Sequence, residues 1–230
     1  MGNRLPMARY LDHAVLKPEM TREEAKQAIE LGIAHKVRTV CVRPCDISLA
    51  AALSAGTQTE VCCVLAFPHG CQTPAAKAGE AREAIAAGTR EIDMVANYGF
   101  IRSGMRREVL EDIQAVVAVA KPAGIPVKVI LETCTLSAEQ IRMATEAAIE
   151  AGADFVKTST GFHTGGATVE AVQVMIDTAK GRIQVKASGG IRNREDAERF
   201  LDMGCTRLGV GYGTTPVLCA GEAEDAAGTY

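Results

Sequence analysis

The 230-residue sequence predicts a (β/α)8 barrel, a TIM barrel, in the α/β class, and three observations carry that prediction. One phrase recurs along the chain: an amphipathic helical run, a glycine, a few residues, then a β-rich run. The β-rich runs are near-continuous Val, Ile, Leu and Cys rather than alternating, as in parallel strands covered on both faces. About eight such units fit the length, slightly below the ~250 residues typical of the architecture. A doubly wound open sheet is the competitor, but it usually announces itself with a GxGxxG turn after the first strand. That turn is missing from the sequence.

The elements follow in order. The short apolar segment "DHAVLKP" at 12–18 supplies the first strand. Thr21 with Glu24 has capping-box spacing and starts the first helix. Further strands are expected near 37–42, 60–66, 91–96, 127–132, 154–159, 183–188 and 206–210. Ser137 with Gln140 repeats the capping box, and Asn193 starts "NREDAERFLDMG" with acidic residues in its first turn. Gly56, Gly88, Gly124, Gly152, Gly181 and Gly204 each sit where a helix should end, because glycine takes the left-handed conformation there without a Cβ penalty. These glycines are 23 to 36 residues apart, about one βα unit each. No Pro/Ser-rich linker divides the chain, so residues 1–230 are expected to form a single domain, with 219–230 a flexible, acidic C-terminal tail.

Hydrophobic content of 47% with 23% charge is that of a soluble globular protein with a sizeable core. A formal charge of −3 and a pI near 5.9 provide no field for nucleic acid or anionic lipid. No N-terminal segment has the pattern of a signal peptide, and no apolar run approaches ~18 residues, so a cytoplasmic protein without membrane spans is expected. Its eight cysteines are then expected to stay reduced. Cys41 with Cys45, and His69 with Cys71, have no matching second pair, so buried packing thiols are preferred to a zinc site.

In such a barrel the chemistry sits at the C-terminal ends of the strands. Polar residues late in strands are therefore the candidates: Asp93 in "EIDMVAN", Glu132 in "KVILET", Lys157 in "FVKTSTGF" and Lys186 in "QVKASGGI". His13 and His69 are placed at the ends of the first and third strands. Lys157 and Lys186 fall on consecutive strands, ~4.8 Å apart, at comparable depth. They could be two structural lysines, each with its own carboxylate. The preferred reading is that one cation depresses the other's pKa and frees its amine as a nucleophile. A carboxylate directly against Lys157 would oppose that, so Asp93 is expected nearer Lys186 or linked through water, either moving protons or forming a plain salt bridge. Lys128 and Glu132 are expected to form a barrel-filling ion pair. The turns "STGF", "ASGGI" and "GVGYG" after the last three strands present backbone N–H groups that suit a phosphate.

Taken together, "DHAVLKP", "VCVRP", "AFPHG", "EIDMVANYGFIRSG", "KVILET", "GADFVKTSTGF" and "VKASGGIR" resemble the deoxyribose-phosphate aldolase family, in order from about residue 12 to 210. The resemblance implies a metal-free, cofactor-free class I aldolase that cleaves 2-deoxy-D-ribose 5-phosphate to acetaldehyde and D-glyceraldehyde 3-phosphate. It places the Schiff-base lysine at Lys157, the pKa-lowering lysine at Lys186 and the proton-relay aspartate at Asp93. The phosphate-loop glycines fall on Gly161, Gly189 and Gly190. Where many members carry a serine pair after strand 8, this chain has Gly211 and Tyr212, which leaves backbone donors for the phosphate. Some members use a C-terminal tyrosine for proton transfer, a role open to Tyr230. A homo-oligomer is expected, since barrels of this kind often pair through outer helices. A Schiff-base aldolase for another acceptor aldehyde and a non-catalytic phosphosugar-binding barrel are the rival readings.

Overall fold

The structure, a computed structural model, describes residues 5–221, whose backbone alternates strand and helix. The strands are β1 (Leu11–Val15), β2 (Thr39–Val42), β3 (Glu60–Leu65), β4 (Glu91–Val95), β5 (Val127–Ile130), β6 (Phe155–Lys157), β7 (Gln184–Ser188) and β8 (Arg207–Gly211). The helices between them are α1 (Arg22–Ala34), α2 (Ile47–Ser54), α3 (Pro74–Ala87), α4 (Tyr98–Arg102), α5 (Arg106–Ala120), α6 (Ala138–Ala151), α7 (Val169–Ala179) and α8 (Arg194–Asp202), with α9 (Thr215–Cys219) after the last strand. All eight strands are parallel and pair in sequence order, and β8 pairs with β1 to close the barrel. The fold class is the one the repeated phrase predicts.

Local signals act where the sequence puts them. Thr21 and Glu24 close a reciprocal capping box on α1, Ser137 and Gln140 close another on α6, and the Asn193 side chain caps α8. Gly88 and Gly152 end α3 and α6 in the left-handed region, at φ 108° and 80°. A residue with a Cβ there would carry strain.

Five strands stop short of their expected ends: β3 and β4 by one residue, β5 and β6 by two, and β1 by three. β5 ends at Ile130 rather than 132, because Glu132 turns into the left-handed region at φ 58°. β6 ends at Lys157 rather than 159, although Leu131 N–H still bonds Lys157 O at 3.0 Å and Thr133 N–H bonds Thr158 O at 2.9 Å. Pairing persists while the strand geometry is lost, so both chains leave the barrel rim together.

The main apolar core lies between the strands and the helices; Leu11, Val40, Ile92, Val129, Val156 and Leu208 supply its strand side. A smaller apolar cluster, Leu16, Cys41, Cys62 and Val64 with Phe67 against it, lies apart from that core on the β1–β3 side. His13 is within β1 rather than at its end. It is fully buried, with Nε2 2.8 Å from Ala28 O on α1 and Nδ1 2.8 Å from the Thr215 hydroxyl on α9. The packing-thiol expectation holds for Cys41, Cys62, Cys63 and Cys205, but Cys45, Cys71 and Cys134 are exposed.

Candidate active site

Asp93 on β4 touches Lys157 on β6 and Lys186 on β7, strands that are not its neighbours. Such contacts can cross only through the barrel interior. The register makes Lys157 and Lys186 direct partners, as their comparable depth in the sequence suggested. A single oxygen, Asp93 Oδ2, accepts from both amines at 2.7 Å. This corrects the expectation that Asp93 stands away from Lys157. The other oxygen, Oδ1, accepts from Lys128 Nζ at 2.8 Å and from the Cys62 thiol at 3.2 Å. Lys157 is 4% exposed and Lys186 fully buried.

Beneath this trio a layer of buried charge fills the barrel. Lys186 also donates to Asp12 on β1. Arg207 on β8 bonds Asp12 at 2.7 Å and Glu91 at 2.8 Å, and Lys128 reaches Glu91 at 2.5 Å. The expected Lys128–Glu132 pair therefore does not form. Lys128 points down to Glu91 and Asp93, whereas the left-handed turn at Glu132 swings its carboxylate onto Thr160 N–H and hydroxyl. Gly209 makes room for Lys186, since a Cβ there would sit 3.2 Å from Lys186 Cε.

Burial pushes the Asp93 carboxyl up, but the ammoniums of Lys128, Lys157 and Lys186 overcome it and hold Asp93 ionised, well below the usual carboxylate range. Burial likewise opposes the Lys186 charge, yet Asp12 and then Asp93 prevail, so its ammonium is held above the usual lysine range. Lys186 is thus a fixed cation, no further from the Lys157 amine than two 2.7 Å hydrogen bonds through a shared oxygen. The interior sets four cations (Lys128, Lys157, Lys186, Arg207) against three carboxylates (Asp12, Glu91, Asp93). Lys157 is the cation with a single carboxylate partner.

Among the described residues, Cys41, Cys62 and Asp93 bring three potential metal ligands within 4.8 Å of one another. Lys128 occupies that corner, 3.5 Å from the Cys62 sulfur. Burial holds the Cys62 thiol well above its usual range, so both charge and ligand chemistry disfavour a cation there.

The glycine turns meet at the rim. Gly161, Gly189 and Gly190 take φ of 84°, 82° and 80°. Ala167 N–H bonds Ser188 O and Gly189 O, both at 3.0 Å, and a Cβ on Gly166 would lie 2.3 Å from Gly189 O. The turns after β6 and β7 are therefore in direct backbone contact. Gly211 is exposed with an ordinary φ of −64°, and Lys17 Nζ stands 5.9 Å over the Tyr212 ring beside it. Tyr230 and the tail beyond residue 221 lie outside the described residues.

The family model for DeoC/LacD aldolases matches residues 7–212. The chain belongs to the DeoC/LacD aldolase family. Deoxyribose-phosphate aldolase 1 of Staphylococcus aureus is 47% identical over 205 residues, covering 89% of this chain and 92% of its own. Deoxyribose-phosphate aldolase of Bacillus mycoides is 43% identical over 224 residues, covering 97% and 99%. Among solved structures, a deoxyribose phosphate aldolase from Aeropyrum pernix, described as tetrameric, superposes with a TM-score of 0.84 at 30% identity, covering 92% of this chain and 89% of its own. The resemblance read from the motifs and the barrel read from the repeats thus converge on one family.

In this aldolase, sequence reasoning did not find Asp12, Glu91, Arg207 or Cys62. They lie early or midway in their strands, where a polar residue carries less of a signal than at the C-terminal ends that form a barrel's site. Glu91 could have been found from Asp93, because i and i+2 on a strand share a face.

Proposed function

We propose that Lys157 forms an imine with the open-chain aldehyde of 2-deoxy-D-ribose 5-phosphate and cleaves it, reversibly, to acetaldehyde and D-glyceraldehyde 3-phosphate. The observation that carries this reading is the sharing of Asp93 Oδ2 between Lys157 and Lys186. The Lys157 amine adds to C1 and the adduct loses water to give an iminium. The C3 hydroxyl then gives up its proton, the C2–C3 bond breaks, and its electron pair is taken up as an enamine. D-Glyceraldehyde 3-phosphate leaves. Protonation at C2 and hydrolysis release acetaldehyde and restore the amine. Lys186 acts as the fixed cation that disfavours a second ammonium, and Asp93, in contact with both amines, passes protons between them.

Gly161, Gly189 and Gly190 are assigned to the phosphate through their backbone N–H groups, with Gly211 completing the rim. The names of the Staphylococcus and Bacillus relatives support the substrate. The tetrameric Aeropyrum structure supports a homo-oligomer. Among the described residues no helix is long and apolar enough to cross a membrane, and a cytoplasmic location suits a phosphorylated sugar substrate.

Borohydride added with acetaldehyde tests the imine. We expect reduction to leave one two-carbon adduct, mapped to the peptide containing Lys157, and none in Lys157→Arg, whose guanidinium cannot form the imine. Adduct on another lysine, or turnover by Lys157→Arg, would refute the assignment.

A further inference from the structure

Lys157 is 4% exposed although it must meet an aldehyde, whereas Phe162, five residues on, is 46% exposed. The Phe162 ring stands edge-on against Phe67, with centroids 5.1 Å apart and planes at 84°. Phe67 follows β3 and Phe162 follows β6, three strands round the barrel, so the pair spans the mouth. Below it, Phe67 rests on the apolar cluster of Leu16, Cys41, Cys62 and Val64, and Cys62 touches Asp93. An apolar wall therefore runs from the ring pair down to the lysines. Phe162 itself follows Gly161 in the turn after β6, so the ring pair stands where that glycine turn meets the apolar wall.

Both rings are aimed by tied turns. Ala66, just before Phe67, is left-handed at φ 53°, and its N–H is held by the Glu80 carboxylate at 2.8 Å. Glu132, also left-handed, grips Thr160, whose hydroxyl accepts from Phe162 N–H at 3.0 Å. Such conformations are costly away from glycine and persist where the surroundings enforce them. The far side of the Phe162 loop is equally tied. A Cβ on Gly165 would lie 2.6 Å from Cys134 Cβ, and Gly166 abuts Gly189 O. The backbone is pinned on both sides, which leaves the Phe162 side-chain torsions as the remaining freedom of this turn.

We propose that the Phe67–Phe162 pair caps the aldehyde carbons bound to Lys157 and sets the largest donor aldehyde the site accepts. The proposal rests on the imine reading above. In that reading the backbone of the β6 turn faces the phosphate while the Phe162 ring leaves the same turn toward Phe67, over the apolar wall that faces C1 and C2. A donor with one more carbon than acetaldehyde meets the Phe162 ring.

The test compares acetaldehyde with propanal as donors to D-glyceraldehyde 3-phosphate, using wild type, Phe162→Ala and Phe162→Tyr. One methylene in an apolar pocket is worth about 10- to 200-fold in kcat/KM. We expect the propanal-to-acetaldehyde ratio to rise by at least about tenfold in Phe162→Ala and to stay at the wild-type value in Phe162→Tyr, which keeps the ring. The substituted side chain is half exposed, so the fold is not at stake. Borohydride trapping on the same samples separates the two ideas. Trapping at Lys157 in wild type and variant with an unchanged ratio overturns the cap and leaves the imine standing. Failure of wild type to trap overturns the imine reading and the cap with it.

Discussion

Lys157 and Lys186 are register partners on neighbouring strands, but they are held differently. Lys186 has two carboxylates, Asp12 and Asp93, and Lys157 has only a shared oxygen of Asp93. If Lys186 serves as the fixed cation, its removal favours the ammonium of Lys157. The amine must be free to attack, so activity then appears only at higher pH. A unit charge about 5 Å away at an effective dielectric near 20 is worth about 3 kcal/mol. That corresponds to about two pH units. We expect Lys186→Met to move the acidic limb of the kcat–pH profile up by that order, and Lys186→Arg, which keeps the charge, to move it far less. Equal limbs in all three proteins would remove Lys186 from this role. The trio itself was legible because polar residues late in buried strands are rare enough to stand out. Its direct Asp93–Lys157 contact was not. That contact became tolerable only with Lys128 and Lys186 drawing on the same carboxylate, and side-chain contact across the barrel between strands that do not pair is invisible in sequence.

The elements were read well where a single residue type enforces the geometry, as at the capping boxes and the helix-ending glycines. They were read less well at Ala66 and Glu132, because nothing in an alanine or a glutamate announces a left-handed strand end. Tertiary bonds to Glu80 and Thr160 impose those turns. The turn after β8 provides an experiment at this scale. Gly211 has an ordinary φ and open space where a Cβ would go, so Gly211→Ser is free of strain. A hydrogen bond to a charged group contributes about 1.5–3 kcal/mol. A serine hydroxyl reaching the phosphate should therefore raise the ratio of kcat/KM for deoxyribose 5-phosphate over deoxyribose by about 10- to 150-fold. If the ratio stays level or falls, the backbone N–H groups already saturate the phosphate at this rim.

The whole barrel depends on one seam, where β8 returns to β1, and His13 sits on it. Its Nε2–H donates to Ala28 O on α1, so Nδ1 is the acceptor for the Thr215 hydroxyl that starts α9. The ring thereby ties the first strand, the first helix and the closing segment together. A Cβ on Gly32 would lie 2.9 Å from the His13 ring, so α1 packs directly on it. Burial keeps the imidazole neutral and pulls its pKa from 6.5 down to about 4, against a smaller opposing effect of the Ala28 carbonyl. Between those values the unfolded chain binds a proton at this position and the folded chain does not. Stability therefore falls as pH drops from about 6.5 toward 4, by about 3 kcal/mol in full. The buried aspartates act elsewhere: Asp12 and Asp93 have depressed values, so their contribution is lost only below the ordinary carboxylate range. Urea midpoints of wild type and His13→Gln at about pH 7 and about pH 5 isolate the effect. We expect the variant to be weaker near neutrality, because the seam loses its fitted ring. We also expect it to lose less than wild type on acidification, so that the two curves converge. Parallel losses in the two proteins would show that His13 takes up no proton on unfolding in this range, and that the seam's acid sensitivity lies in other groups.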